Sequence, residues 1–123
     1  MNNFFQYSKA IWHGNKITAE KILAEPSPAK CKKLGSTVIV RDQDSWNTQS
    51  LKIMETGCRA KFASDGSLSD FLKQTGNCTI VEARNDDFWG AGKDIKLLKA
   101  DDNPSWDGTN HLGHILMRIR DSL

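Results

Sequence analysis

Residues 85–92, Asn85-Asp86-Asp87-Phe88-Trp89-Gly90-Ala91-Gly92, place two carboxylates, an indole and two glycines close behind the apolar triplet Thr79-Ile80-Val81. The triplet reads as a short buried strand, and ligand sites often form just past a strand end. The aspartates supply charge, the indole a flat stacking surface, and the glycines a backbone that a ligand can approach closely. This set suits a planar heterocycle attached to a sugar. Composition alone favours the plainer alternative, a tight turn with a core Trp and two solvated aspartates. Downstream, Gly108-Thr109-Asn110-His111-Leu112-Gly113 opens a final helix, expected from about His111 to Ser122, with Leu112, Ile115, Leu116, Ile119 and Leu123 as its inner stripe. A Gly and a capping Thr or Asn at a helix start leave N–H groups facing outward, which favours phosphate or another anion, although any well-capped helix reads the same way. Between the two clusters, Arg84 to Gly108 reads as one long irregular stretch, and loops of that length tend to carry function.

Upstream the pattern is helical. Phe4 to Ile11 forms a helix closed by His13-Gly14-Asn15, and Thr18 is placed as N-cap of a short helix through Ala24 that Glu25-Pro26 stops. Ser27 with Pro28 at the first helical position opens Ala29 to Leu34, and Gly35 is expected to close it in the left-handed conformation. Ser36 to Arg41 is β-branched and reads as a short strand. Asp42, Asp44 and Ser45 then cap the longest helix, Trp46 to Phe62, with Trp46, Leu51, Met54, Cys58 and Phe62 on one face. Ser67 followed by Asp70 resembles a capping box before Leu68-Phe71-Leu72, and Thr75-Gly76 ends that helix. The fold class is therefore mainly α (α+β), a compact helical domain with a few short strands.

The chain has 123 residues, 17 Lys and Arg against 15 Asp and Glu, and a formal net charge of +2. Its 38% hydrophobic and 26% charged content is that of an ordinary globular chain, so one domain over 1–123 is expected. So small a charge gives no broad basic face for nucleic acid; Lys30, Lys32 and Lys33 are the only local cluster, and a solvated helix face explains them. No apolar run approaches the ~20 residues of a membrane span, and the N-terminus lacks a secretory pattern. Cys31, Cys58 and Cys78 show no Cys-x-x-Cys, which fits neither a disulfide framework nor a zinc site, so reduced thiols in the cytoplasm are expected. His13, His111 and His114 could add ligands, but His111 and His114 stand at a three-residue spacing without a nearby carboxylate or thiol, so helix-surface histidines outweigh a metal site.

Taken together, Val81-Glu82, Asp86, Trp89-Gly90, Gly92, Gly108, Asn110, Leu112-Gly113, Leu116-Met117 and Arg120 resemble the C-terminal signature of the NADAR family, also called YbiA-like. Phe5-Gln6 with Lys9 is similar to the family's first-helix Phe-Gln-x-x-Lys. Ser27-Pro28-Ala29, Leu34-Gly35, Trp46, Met54 and Lys61-Phe62 agree with its middle segments, so the resemblance covers nearly the whole chain. It implies an N-glycosidase that acts on a phosphorylated ribosyl or ADP-ribosyl compound, such as riboflavin-pathway intermediates or ADP-ribosylated nucleic acid, with no metal or organic cofactor. Cleaving a base from ribose builds positive charge on the sugar, which a carboxylate stabilises. Asp86 and Lys9 are then the catalytic candidates. Trp89, Gly90, Asn110, Asp87 and Gln6 are the substrate-binding ones, with Trp89 stacking on the heterocycle and Asn110 bonding ribose or phosphate.

The chain also departs from the family pattern. Asn2 and Asn3 stand where the family carries Glu and His, and Ser50 stands where it carries Arg. A neutral amide neither takes a proton nor stabilises an oxocarbenium ion as a carboxylate does. The segment that precedes the first helix in the family is also expected to be missing. The alternative is therefore a catalytically impaired module that binds ADP-ribose-like or nucleotide ligands, with self-association covering the Phe4/Phe5 face. Trp12 and Trp106 read as packing residues or interface anchors.

Overall fold

The computed structural model describes residues 2–99 and 106–123. The chain divides into two compact units, Met1–Lys61 and Phe62–Leu123. The first holds α1 (Asn2–Trp12), α2 (Lys16–Ala24), α3 (Pro28–Ser36) and most of α4 (Gln43–Ser64). The second holds α5 (Gly66–Gln74), α6 (Ile95–Lys99) and α7 (His111–Asp121). Among the described residues there is no strand, so the fold is mainly helical and both expected strands are corrected.

In the first unit α1, α2 and α3 pack around Ala10, Ala19, Ile22, Cys31 and Val38, with Tyr7 and Leu34 against them. Ala10 and Ala19 are fully buried or nearly so, and side chains this small let helices approach closely. Gly14 turns the chain after α1 at φ 75°. The cap of α2 is Asn15, whose side chain accepts from the Thr18 N–H at 3.0 Å, three residues ahead of the expected Thr18, which is itself buried within the helix. Ser27 caps α3 with Pro28 in its first turn, as the sequence suggests.

Gly35 does something other than expected. It lies inside α3, which continues to Ser36 and ends at Thr37 in right-handed conformation. A Cβ at Gly35 would overlap the Gln6 side-chain amide, so this glycine makes room for Gln6. Segment 36–41 forms no strand, and among the described residues no second strand lies beside it to complete a hydrogen-bonded ladder. Val38 enters the core while Ile39 is left 78% exposed. Asp42 caps α4, accepting from the Asp44 N–H at 3.1 Å and the Ser45 hydroxyl at 2.7 Å, so the helix starts earlier than Trp46. Its buried positions are Trp46, Ser50, Ile53, Gly57 and Cys58, a stripe that shares only its first and last members with the expected face.

In the second unit Asp65 rather than Ser67 caps α5, accepting from the Ser67 and Leu68 N–H groups at 3.0 and 3.3 Å. Gly76, at φ 58°, follows its end. Helix α7 packs on α5, burying Gly113, Ile115 and Ile119, whereas Leu123 stays exposed. Arg120 ties the two together: its guanidinium donates to the Thr75 hydroxyl at 2.9 Å and to the Cys78 carbonyl at 2.7 Å. The expected strand at 79–81 is an irregular segment, and the stretch from Arg84 to Gly108 is interrupted by α6, with residues 100–105 outside the described part.

Candidate functional site

On α1, Phe5, Lys9 and Trp12 follow at spacings of four and three, which places them on one helix face. Trp46 of α4 lies against that face, its ring 5.8 Å from Phe5, 5.7 Å from Trp12 and 5.1 Å from His13. The Lys9 ammonium sits 5.9 Å over the Trp46 ring, within cation–π range. Partial burial lowers the Lys9 pKa below the ordinary lysine value. His13 donates from Nδ1 to the Lys9 carbonyl at 2.8 Å, and its Nε2 is buried with no hydrogen-bond partner among the described residues. Gln6 packs on Gly35. Of the Phe4/Phe5 pair, Phe5 packs on Trp46 and Phe4 is exposed. Sequence reasoning misses the grouping of His13, Trp12 and Trp46 around Lys9. The signal that points to it is the helical spacing of Phe5, Lys9 and Trp12 followed at once by His13.

In the second unit, the two motif clusters are laced together through their backbones. The Thr109 N–H and hydroxyl donate to the Asp87 carbonyl at 2.8 and 2.7 Å, and the Asn110 N–H to Gly90 at 3.0 Å. The His111 and Leu112 N–H groups donate to Phe88 and Trp89 at 3.1 and 3.0 Å, and the Gly108 N–H to Ala91 at 3.0 Å. The start of α7 is thus closed by the chain itself. The N–H groups of His111 and Leu112, two of the first-turn donors that would otherwise face an anion, are satisfied by carbonyls of the same unit.

Such close backbone approach needs glycine. A Cβ at Gly108 would strike Gly90, Ala91 and Gly92, the last two at 2.6 and 2.8 Å. One at Gly90 would crowd Glu82 and Arg84 at 3.0 Å. The Trp-Gly-x-Gly and Gly-x-Asn-x-Leu-Gly spacings are therefore the footprint of two loops in contact.

Asn110 is fully buried, with left-handed backbone at φ 54° and ψ 40°. Its side chain accepts from the Glu82 N–H at 2.9 Å and donates to the Ile80 carbonyl at 2.9 Å. The amide occupies the place a neighbouring strand would take along 80–82, which explains why that segment runs without a ladder. Both ends of the amide being used, Asn110 positions the segment that leads into Asp86.

Asp86 is partly exposed, and its Oδ1 accepts from the Phe88 and Trp89 N–H groups at 2.9 and 2.7 Å. Desolvation raises its pKa, but the N–H groups of Trp89 and Phe88, the Arg84 charge and the Gly90 N–H outweigh it, so the carboxyl lies below the ordinary aspartate value. Asp86 is therefore a carboxylate throughout the neutral range. Asp87 is exposed, with its Oδ1 close to Gly92, and the half-buried Trp89 ring meets Phe88 edge-on at 4.8 Å. Phe88 also meets His111 at 4.6 Å with the rings tilted by 59°, and the His111 pKa is lowered by desolvation and then by His114 and Arg118.

A depressed carboxylate pKa stabilises the fold above the unfolded-state value and loses that contribution as pH falls through the folded-state value. The stability difference between the wild type and Asp86→Asn is thus expected to shrink as pH drops below about 4, the unfolded-state range for Asp. Urea titrations at several pH values check this, and a difference that is constant with pH refutes it.

The structure thus brings Asp86, Asp87, Trp89, Gly90 and Asn110 together in the second unit, while Gln6 and Lys9 stand on α1 in the first. Among the described residues no three His, Cys, Asp or Glu converge in a way that would hold a metal. No helix of the described residues is long and apolar enough to cross a membrane.

The NADAR domain matches residues 1–123. Protein irg-1 of Caenorhabditis elegans is 32% identical over 123 residues, covering 98% of this chain and 58% of its own length. N-glycosidase R617 of Acanthamoeba polyphaga mimivirus is 34% identical over 114 residues, covering 92% of the chain and 67% of that protein. N-glycosidase YbiA of Escherichia coli K12 is 29% identical over 122 residues, with 98% and 68% covered. The chain therefore spans between about three fifths and two thirds of the length of these relatives. With a match that runs from its first residue to its last, and with the glycine and asparagine spacings accounted for by the loops they build, the chain belongs to the NADAR family.

Proposed function

We propose that the chain hydrolyses the N-glycosidic bond of a phosphorylated ribosyl or ADP-ribosyl compound. The observation that carries this reading is the family match over residues 1–123, together with relatives named N-glycosidases that are about 30% identical. The state of Asp86 supports it. In such a hydrolysis the bond from the anomeric carbon to nitrogen breaks, water adds its oxygen to that carbon, and a proton reaches the departing nitrogen. Positive charge on the sugar peaks in between, where an ionised carboxylate contributes most. Asp86 is assigned that role, with Trp89 stacking on the base and Asp87 and Gly90 beside it. Lys9 and Gln6 are the candidates of the first unit: an amine whose pKa burial lowers gives up its proton more readily to a leaving group. A cytoplasmic setting accords with the three free cysteines. ADP-ribosylated nucleic acid as a source of substrate, and self-association over the exposed Phe4, are further parts of the proposal.

Incubation with ADP-ribosylated nucleic acid and with ribosylaminopyrimidine phosphates is expected to release free base and sugar. Asp86→Asn retains an oxygen that accepts from Phe88 and Trp89 and removes the charge, so turnover is expected to fall about 100- to 1,000-fold when assayed at a temperature where circular dichroism shows the variant still folded, its midpoint being lowered at neutral pH only by the carboxylate contribution described above. Absence of product from both substrate classes, or full activity in the variant, rejects the assignment.

A second reading, binding without cleavage, is favoured by Ser50. It stands at the position of the family's Arg, is 2% exposed, and its hydroxyl is turned back on the Asn47 carbonyl at 2.9 Å. Heat of binding with ADP-ribose but no product from either substrate would select it.

A further inference from the structure

The first unit holds a cleft of about 510 Å³ beside the α1–α2 turn and the segment after α3, a volume suited to a small molecule. Lys16 and Arg41 line it, together with Asn15, Thr37, Ile39 and His13. A second recess of about 320 Å³ is lined by Trp12, His13, Arg41, Asp42 and Ser45. His13 and Arg41 border both, so the two spaces share a wall. One side of that wall is aromatic and the other cationic.

The charges there are unbalanced. Neither Lys16 nor Arg41 forms an ion pair among the described residues. The carboxylate in the lining, Asp42, is already engaged: it accepts from the Asp44 and Ser45 N–H groups at 3.1 and 3.4 Å and from the Ser45 hydroxyl at 2.7 Å. Asp42 keeps its charge while capping α4, so with Lys16 and Arg41 the two linings together carry one positive charge in excess, and the larger cleft, which both cations line and Asp42 does not, favours an anion from outside. A guanidinium presents a planar fork that matches two phosphate oxygens, and an ammonium adds a point charge. Trp12, 44% exposed, offers an indole to a flat ring on the other side of Arg41.

We propose that this cleft binds the phosphate group of a nucleotide-like ligand, with Arg41 and Lys16 on the phosphate and Trp12 and His13 along the ring. The site uses neither Lys9 nor Asp86, and it stands whether or not a bond is cleaved.

Calorimetry on the full chain with inorganic phosphate, AMP and adenosine tests it. AMP is expected to bind saturably, more weakly as salt rises, and at least about tenfold more tightly than adenosine. Affinity for AMP above that for inorganic phosphate assigns the site to a nucleotide, and equal affinity assigns it to free phosphate; either supports an anion site. The double variant Lys16→Gln/Arg41→Gln changes exposed side chains only, so its thermal midpoint should hold while AMP affinity falls about tenfold or more. Arg41→Lys, which keeps the charge and loses the fork, should fall in between. No saturable binding of either phosphate, equal binding of AMP and adenosine, or unchanged AMP affinity in the double variant overturns the proposal. None of these readouts depends on bond cleavage, so failure here is distinct from failure of the glycosidase reading.

Discussion

Replacing Gly113 by Ala is expected to destabilise the chain by about 3 kcal/mol or more, or to abolish folding of the second unit. The sign is the informative part, because Gly113 lies inside α7, where Gly→Ala ordinarily stabilises by up to about 1 kcal/mol. Here the added Cβ would overlap the Ile80 carbonyl and the Asn110 amide, meeting Oδ1 of the latter at 2.6 Å. Neither can yield. Ile80 contributes backbone, and Asn110 is buried with both ends of its amide bonded. Gly66 supplies the control: it opens α5 with no atom within 4 Å of the place a methyl would take, so Gly66→Ala should cost nothing measurable. Urea denaturation of both variants makes the comparison. A Gly113→Ala midpoint equal to or above wild type would show that α7 does not press on the 80–82 segment.

Asn110→Ala is expected to cost about 3–4 kcal/mol, through two separate losses. The Ile80 carbonyl and Glu82 N–H, both part-buried, each lose a partner inside the fold, at about 1–1.5 kcal/mol apiece, and Ala in left-handed backbone adds about 1 kcal/mol. Asn110→Gly separates the two, since glycine adopts that backbone freely but restores neither bond. It should recover only the smaller part. Asn110→Asp keeps an acceptor for Glu82 but sets an ionised oxygen against the Ile80 carbonyl. Its stability should therefore rise as pH falls and the protonated carboxyl becomes able to donate. If Asn110→Ala were instead neutral, the amide would not be what holds 80–82, and the route by which α7 positions Asp86 would have to be sought elsewhere.

These two variants also mark where sequence reasoning stops. The helices are legible because apolar residues recur at helical spacing and Ser, Asp or Asn stands before each run. The caps themselves slip by two or three residues, to Asn15 and Asp65, because several capable side chains stand near each start and the local pattern does not rank them. Both expected strands fail for one reason: β-branched runs announce extended backbone, but a strand exists only with a partner. At 80–82 the partner is a side chain 28 to 30 residues away.

The candidate residues divide in the same way. Asp86 and Trp89 are named by motif order, and the Asx turn that keeps Asp86 ionised is local enough to follow from Asp-x-Phe-Trp. That Asn110 faces inward, that the start of α7 is closed by Phe88 and Trp89, and that Gly35 shelters Gln6 depend on contacts between distant segments.

By itself the sequence determined the helical class, most element boundaries to within a few residues, and the family, since caps, periodicity and glycine spacing are properties of neighbouring residues. Tertiary structure alone decided what each motif residue does there. Whether a polar group turns toward solvent or into the chain depends on which donors and acceptors long-range packing brings within about 3 Å, and buried polar groups must be satisfied before any ligand can be.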